Sequence, residues 1–203
     1  MTQWVENPTG GRDRGPVAVA QAWLEVLVRP RRFFRTGVAP GDQAPGLVFA
    51  AAVVLVEEAT RMALVSGAYP IFGGQPVASK ALGLALAVVL VMPATLHLTA
   101  ALQTVILIGG APDRAGVSET VQVLSYAIAP CVFAGPPIPG LRLACALYGT
   151  ILLVVGTSVV HNVSLGRAAV LGAVPAAIVF GYGFRGFAAA ADLLATAGVS
   201  LGL

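Results

Sequence analysis

The stretch LVFAAAVVLVEEATRMALVSG, Leu47 to Gly67, decides how this chain is read. It is apolar from Leu47 to Val56, then carries Glu57, Glu58 and Arg61. At 1.5 Å of helix per residue, Glu57 falls roughly 15 Å into a hydrocarbon layer about 30 Å thick. A lone charge at that depth costs on the order of 2.5–3.5 kcal/mol. Three such charges in one membrane-length stretch must be paired, wetted or functional.

Composition around this stretch points to lipid as the main solvent. Of 203 residues, 57% are hydrophobic and 10% charged, against about a quarter charged in a soluble domain. Mean hydropathy is +0.86. The net charge is +3, and six of the twelve basic residues (Arg12, Arg14, Arg29, Arg31, Arg32 and Arg35) precede the first span. No nucleic-acid recognition motif accompanies them, so anionic lipid headgroups are the expected partner rather than nucleic acid. No signal peptide is read at the start, so the first span is expected to serve as an uncleaved insertion signal.

Residues 1–16 read as a disordered polar tail. Over 17–35, Gln21, Glu25 and Arg29 recur every four residues, with Trp23, Leu24, Leu27 and Val28 on the other side. This pattern predicts an amphipathic helix lying in the interface plane, ended or kinked by Pro30. Arg29, Arg31, Arg32 and Arg35 would meet headgroups, and Phe33 and Phe34 would anchor beside them. The remaining 36–203 form the membrane domain. Its spans are expected at about 45–66, 80–109, 118–135, 141–161 and 168–190, the second kinked at Pro93 and the fifth interrupted by Arg185. The fold class is therefore all-α, a polytopic membrane protein with five transmembrane helices behind an interfacial helix.

Basic residues set the orientation. With the N-terminus inside, the six early arginines plus Arg114 and Arg167 are cytoplasmic, and Lys80, Arg142 and Arg185 are outside. The expected location is the cell membrane, N-terminus cytoplasmic and C-terminus outside.

Few residues offer chemistry. Arg61 stands three and four residues from Glu58 and Glu57, close enough on one helix to neutralise one of them. His97 lies in the second span near a polar stripe of Thr95, Thr99 and Gln103, and would reach Glu57 or Glu58 if the first two spans are neighbours. Glu57, Glu58, Arg61 and His97 thus form a candidate intramembrane polar cluster. It would relay protons or ions, or else brace the bundle from inside. Cys131 and Cys145 flank the turn Gly135–Gly140 at similar depth, and two small core residues explain them better than a redox pair. No catalytic residue, metal site or cofactor is expected, because no soluble-enzyme or metal motif occurs.

Three stretches carry a resemblance: RPRRFFR (Arg29–Arg35), SETVQVLSYAIAP (Ser118–Pro130), and Tyr148-Gly149 followed by VVGTSVVHNVS (Val154–Ser164). Together with the five-span layout, they resemble the Yip family of Ypt/Rab-interacting membrane proteins, in a prokaryotic, archaeal form. The resemblance implies a cytosolic N-terminus, an all-helical domain and no catalysis. It singles out Tyr126 and Pro130 as positions of the third-helix pattern. The cytosolic Asp-Leu-Tyr-Gly-Pro motif of eukaryotic members is absent, so their Rab partnership is not carried over. The expected function is a non-enzymatic Yip-type integral membrane protein that organises membrane or recruits a protein partner. The alternative is a small ion or proton transporter built on the charged cluster.

Overall fold

The segment before the first span forms two short helices, broken where Pro30 was expected to end or kink the first. In the computed structural model, which describes residues 15–198, α1 spans Pro16–Val28 and α2 spans Pro30–Gly37. Arg29 breaks them apart at φ −134°, ψ 55°. Proline at 30 lacks the N–H that would continue α1, yet it suits the first position of a new helix. The polar tail expected over 1–16 lies, but for Gly15 and Pro16, outside the described residues.

The anchoring role expected of the two phenylalanines is corrected. Phe33 and Phe34 are not headgroup anchors: both are fully buried. Phe33 packs edge-on against Tyr126 at 4.8 Å, and Tyr126 packs in turn against Phe49 at 5.2 Å. Helix α1 turns Ala18, Ala22 and Val26 toward the bundle and leaves Val17, Leu24 and Val28 exposed. A stripe of alanines lets the helix lie close against its neighbours. Trp23 fixes it by donating from Nε1 to the Ala129 carbonyl at 2.8 Å.

Helix α3 covers Ala44–Leu64. Helices α4 (Pro76–Leu86) and α5 (Met92–Gly110) join through a π-helical stretch, Ala87–Val91, into one rod of 35 residues. The widened turn falls immediately before Pro93, whose ring crowds the preceding turn. Helix α6 (Val117–Ala127) continues as a 3₁₀ segment, Ala129–Phe133. Helix α7 spans Pro139–Val160, and α8 spans Leu165–Ala176 and extends as a second π-helical stretch to Gly183. Helix α9 covers Gly186–Thr196. No strand occurs among the described residues.

Helix α6 is the axis. Every residue from Glu119 to Cys131 is buried, sheathed by α3, α5 and α7. Its polar side chains therefore meet protein rather than lipid.

Among the described residues, three helices are long and apolar enough to cross a membrane: Pro76–Gly110, Pro139–Val160 and Leu165–Gly183. Helix α3 is of similar length, at 21 residues, but carries Glu57, Glu58 and Arg61.

The last segment runs back along α7. Gly172 faces Leu153, Gly149 faces the Phe180 ring, and Gly186 faces Ala146. The break before α9 thus lies beside the length of α7 rather than beyond its end. At the break Arg185 adopts the left-handed conformation, φ 60°, which L-residues other than Gly and Asn seldom take.

Candidate functional site

Glu57 and Glu58 lie in the second half of α3. Glu57 lies seven residues before Leu64, about 10 Å from the helix end and three residues past the middle of the helix. Its side chain is 2% exposed. Arg185 reaches in from the break after the second π stretch. Its Nη2 donates to Glu57 Oε1, and its Nη1 stands 3.5 Å from Glu58 Oε1. Arg61 Nη1 donates to Glu58 Oε2 at 3.2 Å. Tyr69, on the loop after α3, donates its hydroxyl to the same oxygen at 2.5 Å. The Arg61 guanidinium also lies over the Tyr69 ring, 5.5 Å from its centroid. Burial, then the hydrogen bond to Glu58, pushes the Tyr69 phenol up to about 12.

Two carboxylates thus face two guanidiniums, and the formal charge of the four cancels. Arg185 was expected as an outer-side residue interrupting a span. Its place in the cluster has no sequence signal short of counting charges, since 128 residues separate it from Glu57. The left-handed backbone at Arg185 supplies the turn that aims it.

His97 does not join the cluster. Its Nδ1 pairs with the Pro93 carbonyl of its own helix at 2.7 Å. Pro93 disrupts the regular helical ladder around it, and the imidazole finds its partner one turn away. Thr95, from the stripe beside it, does come near the carboxylates. It borders a cavity of about 120 Å³ that Glu57 and Glu58 also line. Ala87 and Val91 of the first π stretch and Val179 and Gly183 of the second complete that wall.

The turn between α6 and α7 seals the other side. A Cβ added to Gly135 would stand 2.5 Å from the Glu57 carbonyl oxygen, so only glycine allows this approach. Arg142 holds the turn by donating Nε to Ala134 O at 3.0 Å and Nη2 to Gly135 O at 3.1 Å. Cys131 and Cys145 are both free and buried, with the Cys131 sulfur 4.0 Å from the Cys145 carbonyl oxygen.

A second polar network lies toward the opposite end, around α6. Gln103 donates to Thr157 Oγ1 at 3.0 Å. Thr120 Oγ1 lies 3.5 Å from His161 Nε2. Gln122 exchanges two hydrogen bonds with the Ala39 backbone, at 3.0 and 2.7 Å, and Glu119 accepts the Gly41 N–H at 3.0 Å. Two α6 side chains therefore satisfy the connector between α2 and α3, whose amides no helix serves. Burial drives the His161 imidazole down to about 4.

The arginines expected to meet headgroups all lie on the surface. Arg29, Arg31, Arg32 and Arg35 are exposed, and Arg32 lies 3.8 Å from Glu25.

The three stretches noted in the sequence meet in space. An added Cβ on Gly156 would touch Val123 and Phe34, Phe33 packs on Tyr126, and Thr120 approaches His161. Tyr126 is wedged between two phenylalanine rings, and Pro130 starts the 3₁₀ segment that ends α6. No curated protein and no solved structure matches the chain. The family model described as Yip1 domain matches residues 24–184, a range that takes in all three of these mutually packed stretches. The chain is thus a transmembrane protein, and it belongs to the Yip1 domain family.

Proposed function

We propose that this chain is a non-enzymatic five-span membrane protein that organises membrane or recruits a protein partner, with the charged cluster as its internal brace. The observation that carries this reading is charge balance: Glu57 and Glu58 are met by Arg61 and Arg185, with Tyr69 completing the shell of Glu58. A site that moves a cation needs a carboxylate free to exchange partners. Here each carboxylate already holds a guanidinium.

The five spans are α3, the α4–α5 rod, α6 with its 3₁₀ extension, α7, and α8 with its π extension. At 21 residues, α3 reaches about 32 Å. The stretch Val117–Phe133 is shorter, but its sheath of helices relieves it of facing lipid. The N-terminus is cytoplasmic and the C-terminus outside, in the cell membrane. Single cysteines at Ser66, Asp113, Pro137 and Asn162, in a chain lacking Cys131 and Cys145, test this arrangement. An impermeant maleimide should label positions 66 and 137 from outside and positions 113 and 162 only after permeabilisation. Labelling of positions 66 and 162 from the same side overturns the topology.

The cavity between the two π stretches favours a second reading, a small ion or proton transporter using Glu57 and Glu58. π-Helical turns are frequent at functional sites. Proteoliposomes bearing H⁺, Na⁺ or K⁺ gradients distinguish the two. The brace reading expects no flux above empty vesicles. Flux abolished by Glu57→Gln or Glu58→Gln would replace it with transport.

A further inference from the structure

The largest cavity described, about 560 Å³, opens at the end of the bundle remote from the charged cluster. Helix α2 forms one wall with Arg31 and Arg35, and the end of α7 with its following loop forms the other, with Ser158 and Asn162. Val155 and Val159 line it between them. Arg31 and Arg35 are four residues apart on one helix, a spacing at which like charges repel. Among the described residues neither has an ion-pair partner. Glu119 is the carboxylate that borders the cavity, and it is already committed to the Gly41 amide at 3.0 Å. Arg114 and Arg167, both exposed, add positive charge at the same end.

We propose that this cavity binds the phosphate headgroup of an anionic lipid, held by Arg31 and Arg35 while the acyl chains leave past Val155 and Val159. Two guanidiniums on one wall match phosphate oxygens in number and geometry. The apolar wall opposite explains why a lipid is the source rather than free phosphate, which would have no use for it. Basic pockets between membrane helices are a recurrent form of headgroup site. The burial of Phe33 and Phe34 pins α2 to the bundle, and Arg31 and Arg35 lie on the same face as Phe34, at the cavity wall. The site is separate from the charged brace and does not depend on whether that brace transports.

Native mass spectrometry of the full chain in non-ionic detergent reads the binding directly, with phosphatidylglycerol as probe and phosphatidylcholine as control. The wild type is expected to retain phosphatidylglycerol about tenfold more than phosphatidylcholine, the least that one charge-assisted bond would supply. Arg31→Gln with Arg35→Gln should abolish that preference at an unchanged melting temperature. Equal retention by the double variant overturns the proposal. Should that variant not fold, Val159→Trp keeps both arginines and fills the cavity. Loss of the preference there supports the site, while an undiminished preference shows generic attraction to surface charge and overturns it. Displacement of phosphatidylglycerol by submillimolar inorganic phosphate would assign the cavity to the free ion and overturn the lipid.

Discussion

The charged cluster in the second half of α3 and the neutral network around α6 solve the same problem by different means. Both place polar atoms inside an apolar bundle. Glu57 draws its partner from Arg185, 128 residues away, through a break in the last long helix. Gln122 and Glu119 use the backbone of the connector at Ala39 and Gly41. An ionised group in low dielectric needs a counter-charge and fails badly without one. An amide or hydroxyl needs only a donor or acceptor, and its loss costs far less. The charged region should therefore be brittle and the neutral region forgiving.

The largest effect is expected at Arg185. Arg185→Gln leaves Glu57 buried without a counter-ion, a loss of about 3–5 kcal/mol in denaturant unfolding in detergent. Combining it with Glu57→Gln should recover most of that, because no charge is then stranded. A double variant as unstable as the single would break the comparison, since packing rather than charge would then hold the break in place.

Gly135→Ala should come next. The methyl group would meet the α3 backbone at Glu57 O, and overpacking of this kind costs about 1–3 kcal/mol. The same unfolding assay reads it, and Gly140→Ala, where nothing crowds the added carbon, is the control.

In the neutral network, Gln103→Leu should cost only about 1 kcal/mol. Gln103 Oε1 has no partner at present, so the change removes one unsatisfied atom together with one hydrogen bond. Following it with Thr157→Val should add little. A cost as large as that of Arg185→Gln would mean that the two regions are equally demanding.

A pH dependence centred on His161 is expected as well. Its folded imidazole titrates near 4, below the ordinary value of 6.5, chiefly because it is buried. Between these values the unfolded chain binds the extra proton and the folded chain does not, so stability falls as pH drops from about 6.5 toward 4. Melting temperatures across that window should decline in the wild type, and His161→Gln should flatten the decline. An identical slope in the variant assigns the effect to other groups.

Much of the fold was readable before any coordinates. The first four long helical stretches fell within four residues of the expected bounds, while the fifth ended at Gly183 rather than 190, with α9 following the break at Arg185. The assignment of Phe33 and Phe34 to headgroups failed for a specific reason. Periodicity distinguishes two faces of a helix but not which surface each one meets. Trp23, Leu24, Leu27 and Val28 form an apolar side, yet Leu24 and Val28 point outward while alanines contact the bundle. Phe33 and Phe34, flanked by arginines, have the same local pattern whether they enter lipid or protein. Only Tyr126 and Gly156, distant in the chain, decide the matter.

The charged cluster divides along the same line. Sequence alone determined that Glu57, Glu58 and Arg61 share one helix and cannot face lipid alone, because helical spacing and the cost of a buried ion are local properties. It also singled out the three stretches that carry the family resemblance. The tertiary structure decided the partner. It turned His97 back onto its own helix at Pro93 and brought in Arg185 from the far end of the chain. Counter-ions are selected by proximity in space, and a rigid helix break sets that proximity with no trace in the spacing of residues.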